Sequence, residues 1–294
     1  MLTIVPPIRN KRFKMRQYLQ LGKQILTEGQ LSDNRTDTPS ISIFGSRSIY
    51  DLTDGKIAAV TTKKIHFKSI IHELLWMISG STNVGYLRDN GVTIWDEWAD
   101  ASGELGPVYG SQWRRHTSYS KVGMGFKQIT IDQLSEAINA LMYNPNSRRI
   151  LVDSWSVADL PHMALPPCHL LFQFYSKPSP ILGKRRELSI QVYQRSVDYF
   201  LGLPFNLAFY SLLCHMVAQV TGHEAKELIH IGGDVHIYEN HIKQVELQLT
   251  REPKVETATV SLNPAITNID DFTFNDIEIV GYKSHPHIAG KVAV

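Results

Sequence analysis

A chain of 294 residues, 43% of them hydrophobic, is long enough for one large domain or two ordinary ones and can bury a substantial core. A formal net charge of +2, with both signs spread along the chain, lacks the basic stripe that grips a nucleic-acid backbone, so nucleic acid is not an expected partner. Two cysteines, Cys168 and Cys214, exclude a disulfide framework and a paired-cysteine metal motif and point to a reducing compartment. Residues 1–16 are basic without the apolar centre of a signal peptide, and no apolar run reaches the ~18 residues of a membrane span. The expectation is a cytoplasmic protein with no membrane segment.

In chain order, apolar spacing predicts a helix over residues 15–28, with Tyr18, Ile25 and Leu26 toward the core and Gly29 as its stop. Residues 40–50 alternate as a strand, Ile41 and Ile43 opposite Ser40 and Ser42. Residues 66–79 read as a helix buried on almost every side and ended by Gly80. Another helix is expected from Thr130, where Thr130 and Gln133 form a capping-box pattern ahead of Leu134, Ile138 and Leu141, with Asn144-Pro145 as its stop. Strand-like runs follow at 149–155, 169–175 and 187–195. In the last, Leu188, Ile190 and Val192 share one face, and Gln191, Tyr193 and Arg195 the other. Residues 176–186, with Pro178, Pro180 and Gly183, read as a hairpin loop. Pro204 is expected at the first position of a long helix running to Thr221, with Gly222 after it. Repeats and low-complexity linkers are missing, and helices and strands mix without a regular βαβ rhythm, which gives α+β as the fold class.

No Gly-x4-Gly-Lys-Ser/Thr loop and no complete Gly-x-Gly-x-x-Gly occurs, so a bound phosphate would be held by side chains. Cys168 follows Pro166 and Pro167, which cannot continue a helix and present the thiol at the edge of an element. It is either a nucleophile or the small buried hydrophobe that a lone cysteine usually is; Cys214, among Leu212, Leu213 and Met216, fits the second description. A nucleophilic thiol wants cationic neighbours, and Arg35, Arg148, Arg149 and Arg195 have the right chemistry, their forks matching phosphate oxygens as well. Each could equally be a solvated or salt-bridged arginine, and spacing alone does not bring them together. Glu73 lies three residues after Ile70 on nearly the same apolar face; it is a proton-transfer carboxyl of raised pKa or a paired core acid. Asn206 is a turn residue or an amide able to donate to a carbonyl and accept from an N–H side by side, the pattern uracil offers. His236 and Tyr238 alternate on one strand face, as partners for a sugar hydroxyl or as ordinary half-buried polar residues.

Longer runs carry more: Ile70-Ile71-His72-Glu73-Leu74-Leu75-Trp76, Ile94-Trp95-Asp96-Glu97-Trp98-Ala99-Asp100, and Leu105-Gly106-Pro107-Val108-Tyr109-Gly110. Ser147-Arg148-Arg149-Ile150, Pro167-Cys168-His169 and Gln194-Arg195-Ser196 with Asp198 follow, then Phe200-Leu201-Gly202-Leu203-Pro204-Phe205-Asn206 and Gly232-Gly233-Asp234 with His236 and Tyr238. In this order, from about residue 15 to the end, they resemble the thymidylate synthase family. The resemblance implies one α+β catalytic domain over residues 15–294, a large mixed sheet flanked by helices, with residues 1–14 as an extension, and a homodimer whose sites are completed across the interface. It implies Cys168 as nucleophile toward C6 of dUMP. It puts Arg35, Arg195 and Ser196 on the phosphate, joined by Arg148 and Arg149 of the other subunit. Asp198 and Asn206 would address the pyrimidine, and His236 and Tyr238 the deoxyribose hydroxyl. Trp95, Trp98, Leu165 and Phe205 would wall the folate site, with Asp198 and Gly202 near the pterin and the Val292-Ala293-Val294 tail closing over it. Glu73, Tyr109 and water would move protons.

The implied reaction converts dUMP and 5,10-methylenetetrahydrofolate to dTMP and dihydrofolate, with no metal. The chain departs from the family in having Arg35-Thr36-Asp37-Thr38-Pro39-Ser40 where Arg-Thr-Gly-Thr-Gly is usual, Lys291 in place of a proline, and Tyr50 where an arginine near the folate tail often stands. Two alternatives remain: a dUMP hydroxymethylase that leaves tetrahydrofolate, and a catalytically silent nucleotide- or RNA-binding relative. The intact set Cys168, Glu73, Asp198 and Asn206 speaks against silence, and Asn206 speaks against a dCMP hydroxymethylase, which typically carries an acid there.

Overall fold

A computed structural model describes residues 15–34 and 36–292. Expectations for residues 1–14, Arg35, Ala293 and Val294 lie outside the described residues. The elements in order are α1 (Arg16–Glu28), β1 (Gln30–Ser32), β2 (Ser40–Asp51), α2 (Phe67–Ile78), α3 (Gly85–Asp89), α4 (Tyr109–Arg115), β3 (His116–Val122), β4 (Gly125–Ile131) and α5 (Gln133–Tyr143). After these come β5 (Leu151–Asp153), β6 (His169–Lys177), β7 (Glu187–Asp198), α6 (Gly202–Val220), β8 (Glu224–Tyr238), α7 (Ile242–Leu249), β9 (Thr259–Leu262) and β10 (Ile277–Val280).

The main sheet has the order β1-β2-β8-β7-β6-β5. It is mixed: β7 and β8 run parallel, and the other pairs are antiparallel. The parallel pair exists because α6 carries the chain back between the two strands, and α6 packs across both. On β7 the predicted alternation holds, with Leu188, Ile190 and Val192 buried while Gln191, Tyr193 and Arg195 are not. Parallel register sets Ser196 beside Asp234 and Asp198 beside His236, at the carboxyl ends of both strands and next to the start of α6. The opposite sheet face carries Leu171, Tyr193 and Ile231 side by side, partly exposed.

Several expectations change. Helix α6 is long and apolar enough by composition to cross a membrane, contrary to the sequence reading, but most of it is buried as the core helix of this fold. Its first residue is Gly202, so Pro204 is third rather than first, still within the turn whose N–H groups lack helical partners. Thr130 belongs to β4; the cap of α5 is Asp132, whose carboxylate accepts from the Ser135 N–H at 2.9 Å. The β3–β4 hairpin was not expected, since both its faces are largely polar and exposed. The strand at 149–155 shrinks to Leu151–Asp153 at the sheet edge. Gly29 ends α1 in an extended conformation, its N–H reaching the Ile25 carbonyl at 3.0 Å. Tyr50 is a core side chain, 2% exposed, so it does not stand in for a surface arginine.

Candidate active site

Cys168 sits immediately before β6 and is half-buried. Its N–H donates to the Tyr109 hydroxyl at 2.7 Å, and its carbonyl accepts from the Arg195 N–H at 2.7 Å. Pro166 and Pro167 have no N–H to give, but their carbonyls take the guanidinium of Arg195, Nη2 to Pro166 at 3.0 Å and Nε to Pro167 at 2.8 Å. The face of Trp155 lies 5.5 Å from the same guanidinium. A permanent cation is therefore tied to the two residues that lead into the thiol.

Tyr109 opens α4, fully buried. It stacks on His169 with centroids 4.2 Å apart and meets Trp95 edge-on at 5.8 Å. Burial, and then the charge of Cys168, push its hydroxyl well above the usual phenol range, so it remains a proton donor. His169 shares a 2.5 Å hydrogen bond between Nδ1 and the Tyr210 hydroxyl, and burial, with His230 nearby, holds its imidazole neutral, down to about 3. Tyr210 lies four residues after Asn206 on α6, so both occupy one helix face, and that face is turned toward the segment carrying Cys168 and His169.

Glu73 projects from α2 and accepts from the Trp95 indole N–H at 2.8 Å. Burial raises its carboxyl to about 7, the indole hydrogen bond opposing this in part. At neutral pH such a group is divided between acid and base, which suits proton transfer. Trp95 meets Trp98 at 5.9 Å, and Trp98, Leu165 and Phe205 are half-buried apolar side chains against the core, leaving part of each surface for a ligand. Because the folded pKa of Glu73 lies above its ordinary 4.5, the stabilisation from its proton is complete below pH 4.5 and is lost as pH rises through about 7. Glu73→Gln is expected to remove this dependence, so the wild type loses roughly 3 kcal/mol relative to the variant across that window. Urea titrations at several pH values measure it; a constant difference between the two proteins would contradict the burial argument.

Asp198 ends β7, and its Oδ1 accepts from the N–H groups of Phe200 at 2.9 Å and Leu201 at 3.1 Å, fixing the turn into α6. A Cβ on Gly202 would lie 3.6 Å from the Asp198 Cβ and 3.9 Å from the Asn206 Oδ1, so these three residues form one corner. Next to Asp198 on β8, His236 Nδ1 pairs with Asp234 Oδ1 at 2.9 Å, and its ring meets Tyr238 at 5.0 Å, nearly perpendicular. Ser196 is half-buried one row earlier.

The structure thus gathers Cys168, Tyr109, Arg195, Glu73, Trp95, Trp98, Asp198, Gly202 and Asn206 around the carboxyl ends of β7 and β8 and the start of α6. It does not gather Arg148 and Arg149, which are exposed on the loop before β5, at the outer edge of the sheet. Four residues at the site were missed by sequence reasoning: Trp155, His169, Tyr210 and Lys63. Lys63 is 3% exposed; its ammonium donates to the Phe200 carbonyl and lies 3.7 Å from the Phe200 ring centroid. Burial lowers it to about 8, against the opposing pull of Asp198. A lysine standing between the apolar runs 57–60 and Ile65 was the signal for it. Among the described residues no group of three or more His, Cys, Asp or Glu could hold a metal ion. A family model described as Thymidylate synthase matches residues 16–294, nearly the whole chain.

Proposed function

This chain belongs to the thymidylate synthase family, and we propose that it is a homodimeric enzyme converting dUMP to dTMP through a covalent bond from Cys168. The observation that carries the reading is the knot around that thiol: Tyr109 on its N–H, Arg195 on its carbonyl and on both preceding prolines. A cation beside a thiol favours the thiolate, the reactive form. Thiolate addition at C6 of the uracil makes the S–C6 bond, and the C5–C6 π pair moves toward O4. C5 then bonds the methylene carbon of the folate. The C5 proton is lost, and the C–N bond to tetrahydrofolate breaks to leave an exocyclic methylene. Hydride from that tetrahydrofolate makes it methyl as the S–C6 bond breaks and returns its pair to sulfur.

Asn206 matches the O4 acceptor and the N3–H donor of uracil with its amide N–H and carbonyl. Arg195 and Ser196, with Arg35, take the phosphate, and His236 and Tyr238 take the deoxyribose hydroxyl. Glu73, near half-protonation at neutral pH, exchanges protons with the base through water and the Tyr109 hydroxyl. The co-substrate 5,10-methylenetetrahydrofolate supplies the one-carbon unit and the hydride. The faces of its pterin ring suit the half-buried apolar surfaces of Trp98, Leu165 and Phe205 beside Trp95, and Gly202 leaves room above Asp198. An apolar wall that excludes water favours hydride over hydroxide at the final carbon.

Support for a dimer comes from the partly exposed face of the main sheet with Leu171, Tyr193 and Ile231, and from the exposed Arg148 and Arg149 beside it. A second subunit seated on this face would take those arginines into its own phosphate site. With two cysteines and no disulfide framework, the cytoplasm is the compartment this reading assigns.

Turnover with dUMP and methylenetetrahydrofolate tests the reaction. The expected products are dTMP and dihydrofolate in equal amounts. A nucleotide one oxygen heavier, formed with tetrahydrofolate, would replace this reading by hydroxymethyl transfer. Base choice gives a separate expectation. Cytosine offers an amino donor and a bare N3, so an unmatched buried pair costs roughly 1–3 kcal/mol per group. Asn206→Asp should shift the ratio of kcat/KM values toward dCMP; an unchanged ratio places base reading elsewhere.

A further inference from the structure

We infer that Tyr210 is a positioning residue that locks the tautomer of His169, so that His169 Nε2 is a permanent hydrogen-bond donor beside Cys168. The consequence for turnover rests on the reading above, in which Cys168 adds to the pyrimidine; the tautomer itself does not. His169 opens β6 directly after Cys168, and Tyr210 projects from the middle of α6, one turn beyond Asn206. The Tyr210 hydroxyl lies 2.5 Å from His169 Nδ1, and the two rings meet edge to face with centroids 5.4 Å apart. Tyr109 stacks on the same imidazole at 4.2 Å, 23° from parallel. Tyr210 is 1% exposed and His169 8%. A ring held by both a stack and a hydrogen bond keeps one orientation.

One proton lies between the Tyr210 oxygen and His169 Nδ1, and only one placement satisfies both groups. Burial, with the charge of Glu73 adding to it, keeps the Tyr210 phenol protonated. Burial, with His230 nearby, keeps the imidazole neutral. If Nδ1 carried the imidazole proton, the hydroxyl proton would need another acceptor, and among the described residues Tyr210 has none. A buried donor without an acceptor is costly, so the hydroxyl donates to Nδ1 and the imidazole proton sits on Nε2. Nε2 itself has no partner among the described residues, and it is not one of the polar atoms that the fold seals away without one. It is the polar atom of this ring left for a ligand seated over Cys168.

Packing alone does not ask for a tyrosine here. A phenylalanine would fill the same space, against Phe172 at 5.7 Å and Phe209 at 5.1 Å. What the hydroxyl adds is the choice of tautomer. A fixed Nε2–H suits an oxygen that gains negative charge, and addition at C6 moves an electron pair toward a carbonyl oxygen of the pyrimidine. Without the lock, part of the molecules would present a bare Nε2, which repels that oxygen.

The test uses the whole 294-residue chain with isotope-labelled histidine nitrogens. Long-range proton–nitrogen spectra separate a bare ring nitrogen from a protonated one, and the His169 pair is identified by its absence from His169→Gln. At neutral pH the wild type should show Nε2 protonated and Nδ1 bare, and Tyr210→Phe a mixture of both tautomers. In Tyr210→Phe, kcat should fall about tenfold while dUMP affinity by calorimetry stays the same. In a His169→Gln background, where no tautomer is left to set, the same substitution should cost less than about twofold in kcat. A protonated Nδ1 in the wild type would overturn the lock, and this decides the matter even if Tyr210→Phe does not fold. An unchanged tautomer in Tyr210→Phe would overturn it as well. Equal losses of kcat with and without the His169 imidazole, or dUMP affinity falling in step with kcat, would overturn the positioning role. Failure of the proposed reaction shows itself separately, as a wild type that makes no dTMP while its His169 carries the proton on Nε2.

Discussion

Cys168→Ala is expected to fold, to bind dUMP and to lose turnover by at least roughly 10³-fold, as removal of a covalent nucleophile does. The fold should survive because two bonds that hold this residue involve its backbone and persist in the variant: the N–H to Tyr109 and the carbonyl from Arg195. The guanidinium bonds to Pro166 and Pro167 are likewise independent of the sulfur. Nucleotide affinity should therefore change little, and calorimetry with dUMP separates binding from chemistry. Cys214→Ala is the control. Its thiol is 0% exposed in α6, burial holds it far above the usual thiol range, and its 3.7 Å contact to the Leu188 carbonyl is weak. That variant should show a packing loss of about 1–2 kcal/mol with normal turnover. Retention of more than a tenth of wild-type activity by Cys168→Ala would remove this residue from the mechanism.

Mixing two inactive variants should regenerate activity. Arg148→Ala is expected to be nearly dead alone, like Cys168→Ala, because a phosphate held by fewer arginines seats the ring poorly over the thiol. Within one chain Arg148 stands exposed at the sheet edge, apart from Cys168, so a role in a phosphate site requires a neighbouring subunit. In a heterodimer of the two variants, one site collects both defects and the other has neither. Random re-pairing of equal amounts makes half the dimers mixed, so roughly a quarter of all sites should work. Native mass spectrometry confirms the mixed species, and turnover is assayed on the same sample. No regain from confirmed heterodimers would place Arg148 outside a shared site.

Periodicity made much of the architecture readable in advance. Helices α1, α2 and α6 bury enough of their surface to leave a long apolar pattern, and β7 alternates over most of its length. The β3–β4 hairpin left no such pattern, because neither face is buried: Tyr119, Val122 and Phe126 point to solvent among Ser, Lys and Gln. Capping of α5 was misread for the same kind of reason. Thr130 and Gln133 had the spacing of a box, but the tertiary fold drew Gln133 to backbone groups of Gln112 and Asp153 and left Asp132 as the cap.

By itself the sequence determined the local facts at the site: a thiol behind two prolines, a carboxyl on an apolar helix face, an amide near the start of a long helix. Each depends on neighbours within a turn or two, where chain geometry is settled by a few dihedrals. Family membership was legible too, since it lies in the order of many short runs. Only the tertiary structure decided which of these groups meet. Arg195 reaches Pro166 and Pro167 across 29 and 28 positions, Trp95 reaches Glu73 across 22, and Tyr210 reaches His169 across 41. Such contacts are set by sheet register and by the path of α6, neither of which any local spacing encodes. The same holds for charge: Glu73 and Lys63 shift toward neutrality because of what buries them, and burial is a property of the assembled fold.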